Sequence, residues 1–277
     1  CPNGILELGM NKAALIGLTA LVVGGASAML GYYAGNSPAA VIAAEPELIQ
    51  ADQTAGDEKI EAVVRNYLLK NPEIMLEVQT ALETKREEKS RATRAAFITE
   101  SGSGIFNDAE DAVIGNPQGN VTVVEFFDYN CGYCRRAVGD MQALLKADNN
   151  VRFVLKELPI LGPDSVKAHI VAQAFKKLVP EKYSDFHVSL MESGQATEET
   201  AMALAISLGA DEAALRAGMG DPAIGAHFER NNTLAEGLNI TGTPSYVIQD
   251  EVVPGALGLE VLAQKVANVR QCQKATC

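Results

Sequence analysis

The chain has 277 residues, of which 47% are hydrophobic and 21% charged, and its 23 Lys+Arg against 35 Asp+Glu give a formal net charge of −12. That mixture supports one or two packed domains and excludes wholesale disorder. The acidic balance argues against a nucleic-acid partner, and the absence of Trp against an aromatic-lined sugar groove.

Residues 1–9 precede Met10 and are set aside from the fold. Lys12 then precedes an uncharged stretch, Ala13 to Ala34, with a small-x-small site at Ala26-Ser27-Ala28. This pattern predicts a signal peptide, either cleaved or retained as a membrane anchor, within residues 1–35, and hence an exported, periplasmic chain. Residues 36–56, rich in Ala, Pro, Gln and Asp without periodicity, read as a linker.

Ile60, Val63, Val64, Tyr67 and Leu68 fall at helical spacing, and Asn71-Pro72 predicts a break with Asn71 capping a second helix. Ile74, Met75, Val78 and Leu82 continue the apolar stripe, and a charge-mixed run follows it. Two short helices cannot bury such a stripe alone. Residues 57–98 are therefore expected to form a helical oligomerisation segment, with contact to a second copy through about 57–90. Packing onto the chain's own domain is the alternative.

Residues 99–277 are expected to form one α/β domain. Strands are predicted at 112–114, 121–127 and 151–155, a helix from Cys134 to about Lys146, and a nearly all-helical block over 163–239. A hairpin at 246–253 and a last helix over 259–270 complete the order. A β–α–β crossover would set the two long strands side by side.

Cys131-Gly132-Tyr133-Cys134 sits where the central strand meets the next helix. A helix N-terminus stabilises a thiolate, so Cys131 is the candidate nucleophile, and Cys134, one turn in, the candidate resolving thiol. Zinc would need two more ligands, and His169, His187 and His227 are scattered. A Cu(I) site built on the two sulfurs, in a copper-binding or envelope interaction protein, is the alternative function, and an inert disulfide a third. Glu125, inside the apolar strand, could exchange a proton with Cys134 if buried, although alternation does not decide its face. Thr243-Pro244 precedes the hairpin, where a cis peptide can be held. Cys272 and Cys277 read as a tail staple.

The run Phe126–Cys134, a helical block, then Thr241-Gly-Thr-Pro-Ser245 resembles the DsbA family of exported bacterial thioredoxin-fold proteins over roughly residues 105–270. Ile60–Leu82 is similar to the N-terminal oligomerisation segment of ScsC-type and Com1-like members. The resemblance implies a thioredoxin fold with an inserted helical domain, Cys131 as nucleophile, Cys134 as resolving thiol and Glu125 as buried acid. It also implies a cis Pro244 facing the cysteines, with Thr243, Pro244 and Tyr133 contacting substrate, and Lys156 as an ion partner for Glu125. No cofactor or metal is implied. The expected partners are unfolded or misoxidised exported proteins and a membrane redox partner. Gly132-Tyr133 replaces the Pro-His of the best-known DsbA oxidases, and Thr243 replaces their Val. Both are similar to the isomerase DsbC, so disulfide isomerisation stands beside disulfide formation.

Overall fold

A computed structural model describes residues 53–277, with side chains from Gly56 onward. The expected signal segment and most of the expected linker lie outside the described residues. The chain divides into two compact units, one ending at Ala62 and the other spanning Val63–Cys277. Helix α1 (Gln53–Lys70) crosses that division, and α2 runs from Glu73 to Phe106.

Asn71 does not cap α2. Its Nδ2 instead donates to Tyr67 O at 2.8 Å, closing the end of α1, while Pro72 stands at the head of α2 without a side-chain cap. The helix end, with its unpaired carbonyls, competes successfully for the amide. The boundary expected at 98/99 falls inside α2, which continues for two more turns and buries Ile98 and Ile105.

Five strands form one sheet: β1 (Ala112–Gly115), β2 (Val121–Phe127), β3 (Val151–Glu157), β4 (Ser245–Ile248) and β5 (Glu251–Pro254), in the order β1-β3-β2-β4-β5. β2 and β3 are parallel and joined through α3 (Gly132–Ala147), and the other pairings are antiparallel. Between β3 and β4 lies the helical insertion: α4 (Pro163–Leu178), a 3-10 turn, α5 (Tyr183–Glu192), α6 (Glu198–Ser207), α7 (Glu212–Met219) and α8 (Pro222–Gly237). The chain ends with α9 (Leu259–Cys272), and Cys272 is disulfide-bonded to Cys277.

β2 is buried along almost its whole length because both faces are covered. Val123 and Phe127 join the larger core with Met141, Leu144 and Val266. Val124 and Phe126 join a second core with Ile98, Ile105 and Leu238, so α2 and α8 close the other face. This is a thioredoxin-like fold with a helical insertion, and its central strand delivers the chain directly to the cysteine pair.

Candidate active site

β2 ends at Phe127, and four residues later Cys131 is the N-cap of α3. Its backbone is extended, and its Sγ accepts the Cys134 N–H at 3.4 Å, the role an Asp or Ser oxygen usually fills. As a thiol it donates to Thr243 O at 3.1 Å, across from the cis Thr243–Pro244 peptide. Hydrogen bonds from the Cys134 side chain, then from Thr243 and the first N–H groups of α3, hold Cys131 down at about 5 against the opposing effect of burial. Cys134 is fully buried, and burial followed by its bond to Cys131 pushes its thiol far above the ordinary value. One sulfur is thus prepared as a thiolate and the other is kept protonated.

Glu125 is buried on the face of β2 shared with Val123 and Phe127, paired in register with Leu155 and Tyr246. Burial first, then the nearby charges of Cys131 and Asp140, raise its carboxyl to about 8. Lys156 is not its ion partner. Lys156 is in register with Phe126, so alternation turns it to the opposite face. There it meets Asp111 at 2.5 Å and the Gly104 carbonyl at the end of α2.

Tyr133 stands 60% exposed between the cysteines, with the Arg136 guanidinium 4.3 Å from its ring centroid. Tyr133, Thr243 and Pro244 line a groove of about 500 Å³.

A polar cluster that the sequence did not reveal lies behind the motif. The Tyr129 N–H donates to His169 Nε2 at 3.2 Å, which places the His169 proton on Nδ1, 3.5 Å from Glu157. The Tyr129 hydroxyl lies 3.2 Å from that of Tyr183 and 3.3 Å from His187 Nδ1. Burial, then the proximity of His169, lowers His187 to about 3, so it is neutral. Nearby, the Asn130 side chain bonds both the N–H and the carbonyl of Ala196, and Arg135 reaches Met191 O at 2.9 Å. Asp128 accepts from Ser165 Oγ at 2.8 Å. These bonds tie the loop before Cys131 to the insertion. The only local signal was the aromatic run itself, because the partners come from β3, α4 and α5.

A family model for the DSBA-like thioredoxin domain matches residues 122–267. The chain belongs to that family. A second model, the N-terminal domain of the copper resistance protein ScsC, matches residues 58–89. Among solved structures, a thioredoxin-like oxidoreductase from Silicibacter pomeroyi is 43% identical, over 61% of this chain and 98% of its own, with a TM-score of 0.59. The thiol-disulfide exchange protein alpha-DsbA2 from Wolbachia pipientis is 29% identical, over 66% and 98%, at 0.61. A linker-deleted Proteus mirabilis ScsC is 25% identical, over 79% and 95%, at 0.58. As a DSBA-like thioredoxin-domain protein, the chain is a thiol–disulfide oxidoreductase. Among the described residues, no helix is long and apolar enough to cross a membrane.

Proposed function

We propose that this protein is exported to the periplasm and exchanges disulfides with protein substrates, with Cys131 as nucleophile and Cys134 as resolving thiol. The observation that carries the reading is the unequal preparation of the two sulfurs, Cys131 held near 5 and Cys134 held protonated in the core. In the isomerase direction, the Cys131 thiolate attacks a wrong disulfide. A Cys131–substrate bond forms, the substrate bond breaks, and the freed substrate sulfur leaves as a thiolate. That thiolate then attacks a different substrate disulfide, and a rearranged substrate thiolate finally displaces Cys131, with no net change in electrons.

Where the substrate stalls, Cys134 attacks the mixed disulfide and passes its proton to Glu125. Conversion of Cys131 to a neutral disulfide removes one of the charges that keep the Glu125 carboxyl protonated, so its carboxylate becomes available at that step. The substrate leaves reduced, and the enzyme leaves with its own disulfide. Substrate chain docks beside Thr243, Pro244 and Tyr133, with backbone pairing at Thr243.

Isomerisation is favoured over simple disulfide formation by the apolar residues left exposed from Ile60 to Leu82, which a second copy would cover. The test is reactivation of a scrambled-disulfide protein by the full chain, with Cys131→Ser alongside. Recovery that depends on Cys131 supports isomerisation, whereas fast oxidation of a reduced substrate without recovery makes the protein an oxidase. The resemblance of residues 58–89 to a copper resistance protein supports a second reading, Cu(I) held by the same two thiols. Stoichiometric Cu(I) uptake by the reduced protein, abolished in Cys131→Ser, would favour it.

A further inference from the structure

Arg91 and Arg94 fall between the two matched spans, 58–89 and 122–267, so neither family description covers them. Both line the groove beside the cis-proline, opposite Tyr133 and the Thr241–Ser245 loop. A second hollow of about 840 Å³ adjoins it, and Glu87, Arg91 and Glu251 line both. Together they form one trench leading from the active site along α2. From Glu83 to Arg94 the helix advances about 16 Å at ~1.5 Å per residue, room for about five residues of extended chain.

The charges along this trench are unequally committed. Arg94 is held by Glu87 at 2.7 Å and by Ser90 Oγ at 2.7 Å. Glu251 is held by Lys265 at 2.9 Å, and Asp250 accepts the Ala275 N–H. Arg91 is exposed and, among the described residues, forms no ion pair, although it lies close enough to Glu251 to influence it. Further out, Glu83, Glu88 and Asp250 outnumber the single lysine, Lys274, among the lining residues. Arg91 is therefore the uncommitted cation of the hollow beside the cis-proline, and carboxylates predominate beyond it.

We propose that the trench receives an extended, unfolded substrate segment, and that Arg91 determines specificity by selecting a carboxylate within a few residues of the reacting cysteine. The proposal rests on Cys131 being the nucleophile, and its test separates the two. Three peptides of equal length carry Glu, Ala or Lys three residues from a cysteine capped as an aryl disulfide. The Cys131 thiolate of the full, reduced chain attacks the peptide sulfur. A Cys131–peptide bond forms, the peptide–aryl bond breaks, and the coloured aryl thiolate is released and timed.

The expected result is a rate constant for the Glu peptide roughly five-fold above that for the Lys peptide at low salt, shrinking toward equality in about 0.5 M NaCl. Arg91→Glu should invert that ratio. Glu87→Gln, which releases Arg94, should increase it. A ratio identical in wild type and Arg91→Glu, or a wild-type preference for Lys, would overturn the proposal. Failure to release thiolate from any of the three peptides, or release that persists in Cys131→Ser, would instead overturn the active-site reading beneath it.

Discussion

Within one four-residue motif, two identical side chains have opposite acidities because their neighbours differ. Cys131 faces the first N–H groups of α3, and an anion there is stabilised by dipoles already in place. Its alkylation rate should therefore rise through about pH 5 and be flat by pH 7; a midpoint near 9 would show that the helix end contributes nothing. Glu125 makes the converse case. Its carboxyl, raised from 4.5 to about 8, holds its proton more tightly folded than unfolded. That contribution is fully present below about 4.5 and is lost as pH rises toward 8, so the part of the stability owed to Glu125 falls across this window. In Glu125→Gln that decline disappears. Urea titrations of the reduced protein should find the variant on the order of 3 kcal/mol more stable than wild type at pH 7, with no gap at pH 4. The same variant should resolve a trapped mixed disulfide about 10²-fold more slowly. Cys131, Cys134, Glu125, Thr243 and Pro244 were legible as candidates because each sits in a local pattern. The strand's two covered faces hid which way Glu125 points, and parity in the sheet sends Lys156 to Asp111 instead. His169, His187 and Glu157 were illegible because three elements distant in sequence, β3, α4 and α5, bring them together.

At the level of elements, α2 is where local reading and tertiary structure diverge. Gly102 and Gly104, each costing about 1 kcal/mol in a helix, lie within its last two turns. Burial of Ile98 and Ile105 against the sheet offsets that cost. Two cations from β3 also reach the terminal carbonyls of α2, Arg152 to Phe106 O at 3.0 Å and Lys156 to Gly104 O at 2.5 Å. Positive charge at a helix C-terminus is stabilising. The long strands, α3, the insertion and the hairpin were legible within a few residues because each is a local pattern, a β-rich apolar run or an apolar helical spacing bounded by Gly or Pro. The docking of α2 was not, since it depends on Phe97 lying directly over Gly237 of α8, where any Cβ would collide with the ring. Gly237→Ala should therefore cost about 1–3 kcal/mol, read as a lower urea midpoint. Because α2 also carries Arg91, the variant should lose the charge preference for substrate peptides along with that stability. An unshifted midpoint would mean that Phe97 can turn away and that α2 is held elsewhere.

For the whole molecule, the distribution of apolar surface matters more than its amount. The catalytic body buries its hydrophobic residues in two cores, yet Ile60, Val63, Val64, Tyr67, Met75, Val78 and Leu82 remain 46–67% exposed at helical spacing. Large apolar residues left exposed at helical spacing mark an interaction site. A stable interface needs about 800 Å² from each partner, which two exposed helices would supply by meeting their equivalents in the second copy proposed above. Joining copies would hold several Cys131 thiolates around one substrate, raising their effective concentration for repeated attack on wrong disulfides. Disulfide formation is complete after two exchange steps at one oxidised active site, with no repeated sampling of wrong pairings, and gains little from this. A Val64→Glu/Tyr67→Glu/Val78→Glu variant should sediment at the 29.4 kDa of one chain, while wild type sediments at a multiple of it. The variant should keep its exchange rate with a short peptide, since none of these residues lines the active-site groove. It should lose most of its reactivation of a scrambled protein. A wild type that sediments as a single chain, or a monomeric variant that still reactivates fully, would place isomerisation within one protomer and leave the exposed helices to a different partner.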